Sequence, residues 1–157
     1  MKKTKKADFT WNGYKFKNIP LVSWNNGHSY YTRMGGVSKV CKQYIKQKYN
    51  TNIQVATESY TGGSSLRVYV DPTSISADIF KLIKGDVQAL FAAGSFNGME
   101  DIYEYHKGET INFDLVIVTA DNVETDNIDF TAKYVFVNHD FKYGTKQFNE
   151  YHNMEVK

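Results

Sequence analysis

The chain has 157 residues, 41% of them hydrophobic and 15% aromatic, so one domain with its own core needs neither disulfides nor a metal. No apolar run approaches the roughly 20 residues that span a bilayer, which excludes a transmembrane helix. No apolar stretch follows Lys2, Lys3, Lys5 and Lys6, so no secretory leader is expected, and the single thiol, Cys41, rules out an internal disulfide and fits a reducing compartment. The expected location is the cytoplasm of a host cell. Net charge is only +2, but residues 1–50 carry eleven Lys or Arg against one acid, and residues 51–157 carry eight against sixteen. That asymmetry predicts a basic surface able to meet phosphate or an acidic partner.

In chain order, residues 14–24 (YKFKNIPLVSW) read as one or two short strands, with Pro20 marking an edge or break, and Asn25-Asn26-Gly27 reads as a turn. Val37, Val40, Cys41, Tyr44 and Ile45 recur at helical spacing and predict a helix over about 36–49, ended at Asn50. Lys39, Lys42 and Lys46 form a basic stripe on the other side of that helix. Ile53-Gln54-Val55 opens a hairpin, Thr61-Gly62-Gly63-Ser64 connects it, and residues 66–70 return with strict alternation. Leu66, Val68 and Val70 should therefore face the core, with Arg67 and Tyr69 facing the other way. After Asp71-Pro72-Thr73-Ser74, a second helix is expected to bury Ile75, Ile79, Leu82, Ile83, Val87, Leu90 and Phe91 and to stop at Gly94. Gly85 within it costs about 1 kcal/mol relative to Ala, so a break near Lys84 to Asp86 is a further expectation. Residues 102–105, 111–118 and 132–138 read as strands, and the acidic stretch from Asp121 to Asp129 as a connection. The order β-α-β-β-α-β-β-β predicts an α+β fold with two helices packed on a mostly antiparallel β-sheet.

Four phrases in this order carry a resemblance: Gly62-Gly63-Ser64-Ser65-Leu66-Arg67-Val68, Asp71-Pro72-Thr73, the run from Gly94 to Tyr105 (GSFNGMEDIYEY), and residues 133–138 (KYVFVN). Together they resemble the large polyvalent protein-associated domain of type 29, a family of phages, plasmids and other mobile elements. The likeness covers residues 36–142 within a single domain of 1–157, and leaves outside it the basic, aromatic extension 1–35. The insertion between Lys107 and Thr131 is longer than the family leads one to expect. The resemblance implies an accessory protein that counters host defences. It implies no catalytic residues.

The residues themselves carry little sign of catalysis. His28, His106, His139 and His152 lack metal-ligand spacing, and one cysteine rules out the usual Cys/His zinc site. Cys41 lies on the apolar helix face as a buried thiol. Gly62-Gly63 lacks a following Lys-Ser/Thr and precedes a strand rather than a helix, so it reads as a turn. Glu100, Asp101 and Glu104 lie close in sequence, but strand alternation separates Asp101 from Glu104. No enzyme activity, metal or cofactor is expected.

Binding is the better expectation, in two forms. The first is attachment to a host defence protein, a CRISPR effector or restriction nuclease, to counter host defence. It would use the loop at Phe96 and Asn97 or the carboxylates Glu100, Asp101, Glu104, Asp121, Glu124 and Asp126, since spaced carboxylates imitate a phosphate backbone. The alternative is a nucleic-acid-binding module, for DNA or RNA, in the basic half, with Lys39, Lys42, Lys46, Lys15, Lys17 and Arg33 meeting phosphates. Trp11, Tyr14, Phe16, Trp24, Tyr30 and Tyr31 lie among these cations, some stacking bases and some covering the sheet.

Overall fold

The N-terminal residues fold through a turn that their own sequence specifies. Asn12 and Gly13 have φ of 48° and 85°, and they join β1 (Thr4–Trp11) to β2 (Tyr14–Trp24), with Trp11 paired to Tyr14. Left-handed backbone at both central residues matches the right-handed twist of a hairpin, and Asn-Gly supplies it with little strain. The computed structural model describes residues 4–24, 29–60, 63–70, 75–97, 102–105, 110–118 and 123–139. The expected turns at Asn25-Asn26-Gly27 and Asp71-Pro72-Thr73-Ser74 lie outside them, as do Glu100, Asp101 and Asp121.

Among the described residues the fold is α+β, with two helices and mostly antiparallel strands. A short β3 (Ser29–Tyr31) pairs with residues 22–24 to complete a sheet ordered β1-β2-β3. Near its middle, pairing shifts from Ala7–Ile19 to Phe9–Phe16. This bulge is held at Asn18, whose φ is 58° and whose N–H donates to the Asp8 carboxylate at 2.8 Å. Helix α1 (Met34–Tyr49) takes in both Gly35 and Gly36 and ends at Asn50, a left-handed C-cap whose N–H donates to Lys46 O at 3.0 Å. It buries Val37, Val40, Cys41, Tyr44 and Ile45, the face that periodicity predicts.

The second sheet runs β10-β5-β4. β4 (Ile53–Tyr60) and β5 (Gly63–Val70) form an antiparallel hairpin in full register, and β10 (Tyr134–His139) lies parallel to β5. Leu66, Val68 and Val70 are buried while Arg67 and Tyr69 are exposed, as their alternation requires. Helix α2 (Ala77–Phe91) starts at Ser76, whose hydroxyl accepts from the Ile79 N–H at 3.3 Å. It runs unbroken through Gly85. Its core side is Ala77, Phe80, Ile83, Val87 and Phe91, which corrects the expected face: Leu82 is 57% exposed, Ile79 and Leu90 are half-buried, and Phe80, outside the expected set, is wholly buried.

Two segments expected as loops are strands. β6 (Gly94–Asn97) pairs with β7 (Ile102–Tyr105), and β8 (Asn112–Val118) pairs with β9 (Val123–Asp129). The acidic sequence of β9 hides its strand character because only Ile128 is buried in it; the other side chains face water or the ribbon's rim. Phe113 on β8 stacks on Phe9 with centroids 4.3 Å apart, and Phe9 also stacks on Phe16 and Phe130. This aromatic pile joins the first sheet to the β8-β9 ribbon.

Candidate nucleic-acid interface

The site begins with an edge-strand problem. β3 covers only residues 22–24 of β2, so the backbone groups at Lys15 and Lys17 face outward with no strand beside them. Two glutamines of α1, four residues apart and therefore on one face, supply the missing ladder. The Lys15 N–H donates to Gln47 Oε1 at 2.9 Å, and Gln47 Nε2 donates to Lys15 O at 2.7 Å. The Lys17 N–H donates to Gln43 Oε1 at 2.9 Å, and Gln43 Nε2 donates to Lys17 O at 2.8 Å. One turn further toward the helix N-terminus, Lys39 Nζ donates to Asn18 O at 2.9 Å. Positions 39, 43 and 47 thus form a polar seam that docks α1 along β2.

That seam sets the geometry of the lysines around it. Strand alternation turns Phe16 into the core and leaves Lys15 and Lys17 exposed on either side of it. Lys42 and Lys46 stand next to the two glutamines on the exposed flank of α1. The four lysines, with Gln43, Gln47 and Asn52, line one open groove of about 430 Å³. Among the described residues no carboxylate lines it, so the four ammonium groups concentrate positive charge along the groove.

The expected basic residues therefore divide. Lys15, Lys17, Lys42 and Lys46 come together. Lys39 is drawn away to cap the bulge carbonyl. Arg33 lines a different opening, with Thr32, Met34, Val37, Ser59, Ser64 and Thr131, and its guanidinium donates to the Tyr31 hydroxyl at 3.4 Å. Lys48 is engaged at the helix–helix contact, 2.7 Å from the Asp86 carboxylate, where Tyr49 also donates its hydroxyl to Asp86. The hydrogen bond to Asp86 pushes the Lys48 ammonium above its ordinary range. Burial, and then the same carboxylate, raises Tyr49.

Several of the N-terminal aromatics pack into the fold. Phe16 is wholly buried, and Trp11 and Tyr14 meet Tyr44 edge-on with centroids 6.5 and 4.9 Å apart. Tyr30 packs against the core, with Lys5 Nζ 5.8 Å from its ring centroid. Burial pushes the Cys41 thiol up to about 12, so it carries no thiolate at neutral pH.

Among the acidic candidates, Asp126 accepts from the Tyr30 N–H at 3.2 Å, which ties β9 to β3. Glu124 is exposed on the same strand. The backbones of Phe96, Asn97 and Glu104 lie in the β6-β7 ribbon rather than in a loop. Among the described residues, no three His, Cys, Asp or Glu are grouped to hold a metal ion, and no helix is long and apolar enough to cross a membrane. No family model, curated protein or solved structure matches the chain.

Sequence reading missed Gln43, Gln47 and Asn52. The signal for the glutamines was available: they recur four residues apart beside the lysine stripe, and β2 has an unpaired edge to satisfy.

Proposed function

We propose that the chain is a non-catalytic nucleic-acid-binding module that holds a phosphate backbone in the α1-β2 groove. The observation that supports this reading is the convergence of Lys15 and Lys17 from a strand with Lys42 and Lys46 from a helix. Ammonium groups placed along a groove bind phosphates by releasing condensed counterions, and the binding is correspondingly steep in salt. A salt titration of a labelled oligonucleotide, followed by fluorescence anisotropy, tests it. The slope of log K against log salt should fall by about one for each of Lys42→Gln and Lys46→Gln. An unchanged slope, or no binding at about 50 mM salt, would refute the reading.

A second reading has its own support in the β8-β9 ribbon. Val116, Val118 and Val123 are 55%, 73% and 64% exposed, and they share the ribbon's outer face with Asp114. An apolar tip beside carboxylates suits a protein surface better than a nucleic acid. With the resemblance to mobile-element proteins, it supports binding of a host defence protein such as a CRISPR effector or restriction nuclease in the cytoplasm of a host cell. A host protein retained on the tagged chain after nuclease digestion, and lost with Val118→Asp, is the expected result. Retention that ignores Val118→Asp would exclude this face.

A further inference from the structure

The β10-β5-β4 sheet has a second face that neither helix covers. α1 and α2 pack on the side of Leu66 and Val68; the opposite side carries Gln54, Ala56, Glu58, Arg67, Tyr69, Phe136 and Asn138, all exposed, and Ser65, which is buried. Phe136 and Tyr69 each leave 42% of their surface in water. Phe136 and Arg67 are register partners on adjacent strands, and the Arg67 guanidinium carbon lies 5.0 Å over the Phe136 ring centroid. Tyr69 follows Arg67 by two positions on β5, which places it about 6.6 Å further along the same face. Lys133 Nζ, 5.7 Å from the Tyr134 ring centroid, adds a cation at the start of β10.

We propose that this face, through Phe136, Tyr69 and Arg67, is a stacking platform for the unpaired bases of single-stranded nucleic acid. Unpaired bases are held by stacking on aromatic rings or on a guanidinium plane, and a duplex keeps those base faces hidden. The platform offers two rings, with the Arg67 guanidinium carbon 5.0 Å over one of them and its charge able to complement the phosphates of the same strand. Ala56 is the one aliphatic side chain among the exposed residues described on this face. The acid on this side is Glu58, opposite Ser65 toward the far end of β4. The inference rests on the proposed function for its phosphate contacts and adds selection of single strands by a second surface.

The test uses the full chain and three labelled probes: an oligothymidylate, an abasic sugar-phosphate strand of equal length, and a duplex. An oligouridylate arm separates RNA from DNA. The wild-type chain should bind oligothymidylate at least tenfold more tightly than the abasic strand. The double variant Phe136→Ala/Tyr69→Ala should lower oligothymidylate to the abasic level, and Phe136→Trp should retain the preference. Tyr69→Ala alone, at an exposed position, keeps the test open if the double variant does not fold. Equal wild-type affinity for base-bearing and abasic strands, or a preference that survives the double variant, overturns the platform. The groove fails separately, when Lys42→Gln/Lys46→Gln leaves abasic binding unchanged. Absence of binding to every probe overturns both.

Discussion

Helix α1 meets the rest of the molecule along two seams of different chemistry. On one side, Val37, Val40, Cys41, Tyr44 and Ile45 are buried in the common core. On the other, Lys39, Gln43 and Gln47 reach across to the backbone of β2 and complete an otherwise open strand edge. Burial holds the first seam, and its strength depends on volume and fit. Directed hydrogen bonds hold the second, and they specify register: each glutamine can meet only the residue whose N–H and C=O both point outward. The apolar seam makes the helix stay; the polar seam fixes where β2 lies beside it, and so where Lys15 and Lys17 stand relative to Lys42 and Lys46.

The largest effects are expected on the apolar side. Ile45 is wholly buried, and Ile45→Ala should lower stability by about 2–5 kcal/mol, read by chemical denaturation. A loss below about 1 kcal/mol would mean that the seam collapses around the cavity and that packing there is loose. The same seam sets a pH dependence. The folded chain holds the Cys41 proton to about 12, while an unfolded thiol releases it near 8.5. The unfolded state therefore binds fewer protons above 8.5, and stability should fall as pH rises from there toward 12. Cys41→Ala should remove that component of the slope.

The polar seam should respond less, and by a different signature. Gln43→Ala or Gln47→Ala removes the two hydrogen bonds that side chain makes to the β2 backbone and should cost about 1–2 kcal/mol each. Gln→Glu at either site keeps the acceptor and loses the donor, so its cost should fall between wild type and Ala. The double alanine variant should also associate with rising concentration, because it uncovers the β2 edge for another strand. Light scattering across a dilution series checks this, and a variant that stays monomeric would show that the edge is protected by something besides the glutamines.

This contrast also explains what could be read from the sequence. Periodicity gave the α1 face, part of the α2 face and the β5 alternation because burial repeats at 3.6 or 2 residues. Leu82 broke the rule because an apolar residue at the margin of a helical face has no obligation to be covered. β9 was unreadable for the opposite reason: a two-stranded ribbon with one buried residue, Ile128, leaves no apolar alternation to detect. β1 was missed although Asn12-Gly13 marks its hairpin, since exposed Lys5, Lys6 and Asp8 break the apolar alternation of its strand. The lysines of the groove were named from composition and spacing, but their grouping depends on the β2 bulge and on Gln43 and Gln47. Long-range hydrogen bonds of that kind have no local period.

The smallest effects are expected at two helical glycines. A Cβ at Gly85 meets nothing within 4 Å, whereas one at Gly36 would overlap the Thr32 hydroxyl and come 3.1 Å from Pro20 O. Gly85→Ala should therefore stabilise by roughly 0.5–1 kcal/mol through the unfolded chain's lost freedom. Gly36→Ala carries the same favourable propensity but must turn Thr32 and press on the backbone of β2, so it should give no gain or a net loss. Thermal melts of the two variants decide the point. If both stabilise equally, α1 has room to move away from β2 at its first turn, and the register of the groove is held by Gln43 and Gln47 alone. If Gly36→Ala destabilises while Gly85→Ala stabilises, close backbone approach at Pro20 is a third constraint on where the lysines of the strand and helix meet.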